Sequence, residues 1–227
     1  ILRKLLLLHP KSIDLSLHRI KRLLKSLNNP EKKLQNCIQV VGTNGKFSIC
    51  STLREIYETA GYKVNMYISP SVRKFNERYY FSGKQVCDDR LHELLSEVEK
   101  ANKGQPITFH EIITAAFFLE AARTEAHLNI LEAGLFFRLD ASNVLNKNIA
   151  SIISTIGMDH KDFLKEGTIN EIIFEKCSEL LNDSKIIISE QISIEILNKI
   201  NKIIQQNSSK KIIAGKDFKY KKTSNGF

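Results

Sequence analysis

Val40-Val41-Gly42-Thr43-Asn44-Gly45-Lys46-Phe47-Ser48 is the most informative segment of this chain. The apolar run that leads into it, Cys37 to Val41, predicts a buried strand. A strand, a glycine loop with a lysine and a hydroxyl, and then a helix form the usual layout of a phosphate-binding loop, because backbone N–H groups and the helix N-terminus face the anion. The spacing differs from GxxxxGK[ST], so a plain Gly-Lys turn between strand and helix stays open as an alternative. The predicted helix carries an apolar face of Leu53, Ile56 and Tyr57.

The composition is that of an ordinary globular protein. The chain has 227 residues, of which 42% are hydrophobic and 26% charged, and this is enough chain to bury a large core. No apolar run approaches the roughly 20 residues of a membrane-spanning helix, and Arg3 and Lys4 interrupt the opening apolar segment, which disfavours a signal peptide. The cysteines lack CxxC spacing and predict reduced thiols in a cytoplasmic protein: Cys37, Cys50, Cys87 and Cys177.

The net charge of +9 admits nucleic acid, acidic lipid or an anionic small molecule as a partner. The basic residues are dispersed, however, and the chain has no RNP, helix-turn-helix or zinc signature. His110 and Glu111 begin a pattern found in zinc proteases, but Thr114 stands where the second histidine is needed. We therefore expect an enzyme with an anionic ligand, with no nucleic acid and no membrane as partner.

Strands and helices alternate along the chain, and the strands are almost continuously apolar. This pattern predicts an α/β fold, a three-layer P-loop-type domain with a mainly parallel sheet covered by helices on both faces. We expect one domain over 1–215 and a polar tail over 216–227, with Asp14 or Ser12 capping the first helix. The predicted strands span 37–41, 64–68, 79–81 (with a hairpin turn at 82–84), 128–131, 149–153, 185–188 and 212–213, and the later helices span 88–100, 108–123, 168–181 and 192–204.

In parallel sheets, ligands bind where the carboxyl ends of the strands open. This rule selects the residues just after each predicted strand, which are Ser48 with its loop, Ser69, Glu132 and His160. Oxygen ligands with one imidazole suit Mg²⁺ or Mn²⁺ bridging the phosphates of ATP. Taken singly, Glu132 could be a rim carboxylate and His160 a capping or hydrogen-bonded histidine, and those alternatives stay open at this point.

Seven segments, in order along the chain, resemble the folylpolyglutamate synthase/dihydrofolate synthase family, which belongs to the Mur-type ATP-dependent amide ligases. They span most of the chain up to about position 181. The segments are 13–27 (IDLSLHRIKRLLKSL), 40–48 (VVGTNGKFS), 61–78 (GYKVNMYISPSVRKFNER), 108–115 (TFHEIITA), 131–144 (LEAGLFFRLDASNV), 154–164 (STIGMDHKDFL) and 168–176 (TINEIIFEK).

The resemblance implies roles for individual residues. Lys46, Lys176 and His160 would be catalytic, and Lys176 would be the family's carbamylated lysine; the plain alternative for Lys176 is an exposed helix lysine. The ATP phosphates would be held by Thr43, Asn44, Gly45, Lys46, Phe47 and Ser48, and Mg²⁺ by Ser69, Glu132, His160 and Ser48. The pteroate or folate site would be lined by Asp14, Leu15, Ser16, Leu17, Thr108, Phe109, His110, Glu111 and Leu139, with Phe75 and Arg78 on a neighbouring loop.

The implied activity is an ATP- and Mg²⁺-dependent ligase that adds L-glutamate to a folate or dihydropteroate through an acyl phosphate, acting as a monomer. Three aromatic residues depart from the family pattern, because Phe47 stands in place of a glycine and Phe136 and Phe137 in place of a glycine pair; Ser71 and Lys74 also replace the usual His and Arg. If those phenylalanines need φ > 0, we expect strain of about 1–3 kcal/mol at each, and otherwise rings that crowd ATP.

The resemblance also implies a C-terminal ligase domain, which the sequence after Lys216 does not supply. We therefore expect a truncated and impaired ligase. The alternative is a non-catalytic nucleotide- or folate-binding remnant of such an enzyme.

Overall fold

The computed structural model describes residues 1–10 and 14–219. Its α-helices are α1 (Leu2–Leu8), α2 (His18–Ser26), α3 (Lys46–Thr59), α4 (Asp88–Asn102), α5 (Phe109–Ala121), α6 (Ile169–Cys177) and α7 (Ile194–Ile203). Its strands are β1 (Cys37–Val41), β2 (Val64–Tyr67), β3 (Tyr79–Phe81), β4 (Lys84–Gln85), β5 (Leu128–Glu132), β6 (Ala150–Ile153), β7 (Lys185–Ile188) and β8 (Lys210–Ile213). Short 3₁₀ helices occupy Pro30–Lys33, Phe75–Arg78 and Lys161–Phe163.

The strands form one sheet in the order β4-β3-β2-β5-β1-β6-β7-β8. The six strands from β2 to β8 in that order run parallel, and β3 and β4 form an antiparallel hairpin at one edge. Ser82 and Gly83, both at positive φ (50° and 79°), make the hairpin turn that the sequence predicts. The mainly parallel α/β sheet is thereby confirmed, and β1 with its glycine loop lies between β5 and β6.

Helices cover the two faces of the sheet unequally. One face of β1 presents Ile38 and Val40, which pack in a cluster with Cys50 of α3. The opposite face, which includes Val41, packs against α6 and α7 toward β8 and, toward the hairpin, against α2, α4 and α5. The alternation of side chains along a strand explains this division, and the prediction of a three-layer fold is confirmed.

Several local predictions were wrong. Asp14 does not cap the first helix, because α2 begins at His18 with Leu17 at its N-cap and the carboxylate of Asp14 is paired with Arg19 instead; Ser12 lies outside the described residues. Ile56 is 59% exposed rather than on the apolar face of α3, whereas Leu53 and Tyr57 pack on the core from this helix.

The structure adds detail at both ends of the chain and moves the end of helix α6. The opening segment forms helix α1, with Leu5 buried. Helix α6 ends at Cys177, four residues before the predicted end, where Leu180 is buried in the non-helical chain beyond it. The start of the predicted tail folds back as a turn in which Gly215 N donates to Phe218 O, and 220–227 lie outside the described residues. In the ranges 1–10 and 14–219, no helix has both the length and the apolarity to cross a bilayer.

Candidate functional site

The glycine loop after β1 needs its glycines for two different reasons. Gly42 has φ +132°, and a Cβ there would lie 2.0 Å from Ser154 Oγ and 3.2 Å from the backbone carbon of Ser154. Gly45 has φ +83° with open space around it, and it is the N-cap of α3. Gly42 therefore permits a close approach to the chain after β6, whereas Gly45 permits the left-handed turn that starts the helix.

The loop is fastened to the segment that follows β6. Thr43 N and Asn44 N both donate to Thr155 O, at 3.0 and 3.1 Å. The Thr43 hydroxyl donates to Gly157 O at 3.1 Å and accepts from Gly157 N at 3.2 Å. Two of the N–H groups expected to face phosphate are thus used inside the protein. The N–H groups of the first turn of α3, which have no acceptor within a helix, are the ones left for an anion.

Lys46, at the start of α3, contacts Glu132 at the end of β5. Lys46 Nζ donates to Thr43 O at 3.2 Å and lies 3.9 Å from Glu132 Oε1. Glu132 Oε2 accepts from Ser69 N at 3.3 Å, which adds the end of β2. Burial raises the pKa of Glu132 to about 7, against the opposing charge of Lys46. Lys46 and the Ser69 N–H do not fully offset the cost of burying the Glu132 charge. Such a carboxylate is suited to bind a further cation.

The pKa of Glu132 predicts a dependence of stability on pH. Because the pKa is raised from 4.5 to about 7, the folded chain holds a proton that the unfolded chain lacks between these values, and stability falls as pH rises through that window. Between about pH 5 and about pH 8, in EDTA, we expect urea unfolding to show a loss of about 2 kcal/mol in the wild-type chain. Glu132→Gln should lose much less, and an equal loss in both proteins would contradict the assignment.

Ser69 and His160 reach the same cavity but engage different partners. Ser69 Oγ accepts from Arg78 NH1 at 3.0 Å. His160 Nε2 lies 3.1 Å from Asp159 Oδ2, and burial lowers the pKa of His160 despite the opposing effect of Asp159. The imidazole is thus paired with its neighbour in sequence and not with Glu132.

The predicted Mg²⁺ ligands are only partly brought together. Among residues 1–10 and 14–219, no three or more His, Cys, Asp or Glu side chains form a group that could hold a metal ion. Glu132 and Ser69 are adjacent, His160 lines the neighbouring cavity, and Ser48 is exposed on the first turn of α3. Mg²⁺ commonly takes one or two protein oxygen ligands together with substrate phosphates and water. The pair of Glu132 and Ser69 fits that pattern of ligands.

A cavity of about 290 Å³ opens beside this cluster and contains most of the predicted substrate residues. Leu17 is not among its lining residues and packs on the core. Phe75 is also absent from the lining and lies against Phe109, with ring centroids 6.0 Å apart. From the predicted set, the lining residues are Asp14, Leu15, Ser16, Arg78, Thr108, Phe109, His110, Glu111 and Leu139. Residues that the sequence did not single out complete the wall: Pro70, Ile113, Gly134, Leu135, Asp140 and Ala141.

Arg19 joins two walls of this cavity. Its Nε donates to Glu111 Oε2 at 2.9 Å, and its NH1 and NH2 donate to Asp14 Oδ2 and Asp14 O at 3.0 and 2.7 Å. Glu111 also forms a capping box with Thr108 at the start of α5. The arginine therefore holds the segment before α2 over the cavity, a role that sequence reasoning missed.

Asp140 organises the loop between β5 and β6. Its carboxylate accepts hydrogen bonds from Gly134 N, Leu135 N, Ser142 N and the Ser142 hydroxyl. His110 Nε2 lies 3.4 Å away and also favours the ionised carboxylate. Burial opposes ionisation of Asp140, but these partners outweigh burial and hold its pKa below the usual value. Only its place in the segment 131–144 could have drawn attention to Asp140.

The three aromatic replacements do not strain the backbone. None of Phe47, Phe136 and Phe137 is among the described non-glycine residues with positive φ, so the strain expected for positive φ does not arise. Phe136 and Phe137 are buried in the core cluster that contains Val41. Phe47 is 44% exposed and lines a second cavity of about 350 Å³, which is bordered by Met66.

Lys176 is buried, which excludes the alternative of an exposed helix lysine. Only 1% of its surface is accessible. Its Nζ donates to Gly42 O at 2.8 Å and to Leu135 O at 3.0 Å. Burial, with a smaller contribution from the charge of Lys46, lowers the pKa of Lys176 to about 8.

No family model matches the chain, but individual proteins do. The dihydrofolate synthase/folylpolyglutamate synthase of Escherichia coli is 34% identical over 157 residues, covering 69% of this chain and 37% of that protein. The protein of the same name from Bacillus subtilis is 36% identical over 168 residues, covering 70% and 38%. The dihydrofolate synthetase of Saccharomyces cerevisiae is 31% identical over 170 residues, covering 73% and 39%.

Solved structures of proteins with this activity in their names are also similar to the chain. E. coli FolC in complex with DHPP and ADP has a TM-score of 0.88 at 29% identity, covering 98% of this chain and 52% of that one. The bifunctional folylpolyglutamate synthase/dihydrofolate synthase of Yersinia pestis, complexed with AMPPNP and Mn ion, has a TM-score of 0.86 at 25% identity, covering 99% and 53%. The chain thus spans about half the length of these solved proteins and less of the curated relatives.

Proposed function

Because this chain belongs to the dihydrofolate synthase/folylpolyglutamate synthase family, we propose that it is the N-terminal ATP-binding domain of a ligase that joins L-glutamate to a folate or dihydropteroate. The observation that carries the proposal is the Lys46–Glu132 pair, with Nζ 3.9 Å from Oε1, at the edge where the glycine loop meets the cavity. The cavity for the acceptor and the loop for the nucleotide are then neighbours, as transfer between them requires.

The proposed reaction has two steps. A carboxylate oxygen of the folate or pteroate attacks the γ-phosphorus of ATP, which gives an acyl phosphate and ADP. The amine of glutamate then attacks the acyl carbon, an amide bond forms, and phosphate and a proton leave. Lys46 and the first turn of α3 hold the phosphates and offset their charge. Mg²⁺, when bound, adds charge neutralisation on the phosphate oxygens; Glu132 and Ser69 would hold it, with His160 and Ser48 near the nucleotide.

The cavity supports a folate-like acceptor. The apolar wall of Phe109, Leu139 and Ile113 suits a flat ring system, and Arg78 offers a cation for a carboxylate. The E. coli FolC to which this chain is similar was solved with DHPP and ADP. We include a monomeric state and a cytoplasmic location in the proposal, the latter because all four cysteines are free thiols.

A second candidate is a nucleotide-binding protein without ligase activity. The Phe136 ring favours this candidate, because it covers Lys176, one of the residues that the resemblance implies to be catalytic. The ring centroid lies 5.4 Å from Lys176 Nζ. Fusion of the chain to the C-terminal domain of a family member, incubated with ATP, dihydropteroate and labelled glutamate, separates the two. Labelled product supports the ligase, whereas nucleotide binding without product supports the second candidate.

Calorimetric titration with Mg·ADP and Mg·AMPPNP tests the nucleotide site. We expect saturable binding to the chain, and Lys46→Ala should weaken it roughly 30-fold by removing a charge-assisted contact to phosphate. The matched control is Lys185→Ala, which removes an exposed lysine at the start of β7 and should leave the affinity unchanged. Absence of binding, or equal affinity for Lys46→Ala and the wild type, would overturn the proposal.

A further inference from the structure

The second cavity, termed the α3 cavity, lies on the side of the sheet that α3 covers and shares no lining residue with the first. Its volume of about 350 Å³ falls within the range of about 300–1,000 Å³ that is usual for ligand pockets. Phe47, Ser51 and Arg54 form one wall, because spacings of four and three residues place them on one face of α3. Met66 and Ile68, both buried, form its floor. The other lining residues are Val72, Arg73, Glu77, Tyr80 and Gln85.

Arg54 is a largely buried cation whose pairing is incomplete. Only 18% of its side chain is accessible, and its Cζ lies 4.1 Å from the centroid of the Tyr80 ring. Its Nε is buried and has no hydrogen-bond partner among the described residues. Two carboxylates face it at a distance, with Glu58 Oε2 3.5 Å from Nε and Glu55 Oε2 3.6 Å from NH2, longer than a usual hydrogen bond. Because a guanidinium has five N–H donors, Arg54 keeps the capacity to bind an anion.

Arg138 provides a comparison within the same chain. Its Cζ also lies over an aromatic ring, 5.6 Å from the centroid of Phe174. Arg138, however, donates three hydrogen bonds to the carboxylate of Glu175, at 3.0, 3.1 and 2.7 Å. Contact with a ring therefore leaves the donors of an arginine free to pair with a carboxylate. At Arg54 the contact with the ring is present, and the close carboxylate is the part that a ligand would supply.

The other charged groups around the α3 cavity favour an anion. Arg73 lines it and is exposed, so it adds a second positive charge. Glu77 also lines it, but its Oε2 accepts from Val72 N and Arg73 N at 2.9 and 2.8 Å, which commits this carboxylate to its own loop. Glu58 is outside the lining, and burial raises its pKa despite the opposing charge of Arg54. The cavity thus presents two arginines against one carboxylate that is already hydrogen-bonded.

We propose that the α3 cavity binds a small planar aromatic carboxylate, with the carboxylate on Arg54 and the ring between Phe47 and Met66. A guanidinium pairs with a carboxylate through two parallel hydrogen bonds. The ring has suitable surfaces to pack on, since Phe47 is aromatic and the sulfur of Met66 favours contact with aromatic rings. Phe47, which is 44% exposed, then serves as one wall of a ligand site. This site does not rest on the proposed function, because it uses neither the nucleotide nor the acceptor.

The two methionines of the chain give a direct readout, because Met66 lines the α3 cavity and Met158 lines neither cavity. In the wild-type chain labelled with ¹³C-methyl methionine, benzoate at neutral pH should shift the Met66 resonance saturably, with a Kd of about 1 mM, and leave the Met158 resonance in place. Met158→Leu assigns the two signals. Benzamide has the same shape without the charge and should bind at least about tenfold more weakly. Acetate, which lacks the ring, should be weaker by a similar factor of about ten.

Two variants identify the arginine. Arg54→Met should weaken the binding of benzoate at least about tenfold, and Arg54→Lys, which keeps the charge but not the paired donors, should give a smaller loss. The matched control is Arg138→Met, which removes an arginine already paired with Glu175 and should change the affinity less than about twofold. A Met66 resonance that benzoate does not shift, including the case in which benzoate enters only the first cavity, would overturn the proposal. Equal affinity for benzoate and benzamide would overturn it as well, and that comparison needs no variant to fold.

Discussion

Replacing Gly42 by alanine should lower the free energy of unfolding by about 4 kcal/mol, the sum of backbone strain and overpacking. The new Cβ would lie 2.0 Å from Ser154 Oγ, 3.1 Å from Ser154 Cβ and 3.2 Å from the Ser154 backbone carbon. Rotation of the serine hydroxyl relieves only the first of these contacts. The backbone itself must move, and it is held there by the hydrogen bond from Lys176 to Gly42 O. Urea unfolding followed by circular dichroism measures the loss.

Gly45 provides the matched control for this substitution. It also has positive φ (+83°), but a Cβ there would meet nothing within 4 Å, so Gly45→Ala should cost only about 1–2 kcal/mol of strain. Ser154 Oγ is buried without a hydrogen-bond partner, and Ser154→Ala should therefore be close to neutral and should recover part of the loss when combined with Gly42→Ala. Equal losses for Gly42→Ala and Gly45→Ala would show that the close approach to Ser154 is not what Gly42 provides.

Asp140→Ala should destabilise the chain by about 4 kcal/mol, because it leaves several buried donors without an acceptor. Gly134 N, Leu135 N, Ser142 N and the Ser142 hydroxyl all donate to this carboxylate. The His110 imidazole, 3.4 Å away, would lose the charge it faces across the cavity wall. Asp140 thus accepts several of the hydrogen bonds that hold the loop lining the cavity, and unfolding experiments at neutral pH measure its contribution.

Two further substitutions serve as comparisons for the loss of stability in Asp140→Ala. Ser142→Ala removes one donor and should cost about 1 kcal/mol, and Asp162→Ala, at an exposed position, should stay within about 0.5 kcal/mol of the wild type. The pKa of Asp140 is held below its usual 3.8, so its contribution is present above that value and is lost as pH falls through the lower folded-state pKa. A loss for Asp140→Ala no larger than that for Ser142→Ala would contradict the central role of the carboxylate.

The sequence was sufficient to predict the sheet, because each parallel strand is a short apolar run and helical segments separate the strands. Lys185–Ile188 was predicted to the residue. Local pattern was less informative at the ends of helices, where tertiary contacts decide. Asp14 looks like a cap, but Arg19, which also reaches Glu111 on another helix, pairs with it instead.

The site was predictable where a residue follows a strand, and less so where a distant partner defines its role. Glu132 and Ser69 meet as expected because β2 and β5 are neighbours. The role of Arg19 depends on Glu111, which is 92 positions away in sequence. Lys176 looks like a surface residue by its polarity, and only the position of α6 against the glycine loop buries it. Phe136 and Phe137 pack in the core and Phe47 lies exposed, all three without positive φ. The absence of the family's glycines at these positions did not predict where the rings would lie.

The position of β1 in the sheet has a consequence for how the chain folds. Its two neighbours, β5 and β6, are encoded long after it, and Thr43 is bonded to Gly157, 114 residues further along. Such pairings between distant parts of a sequence form slowly, because a long loop must close before they contribute any stability. During synthesis on the ribosome, β1 therefore stays unpaired until β5 has emerged, although β1 precedes β5 by about 90 residues. Until Gly157 has left the exit tunnel, the nascent chain cannot complete its glycine loop, and before β5 emerges it must keep an apolar strand soluble without either neighbour.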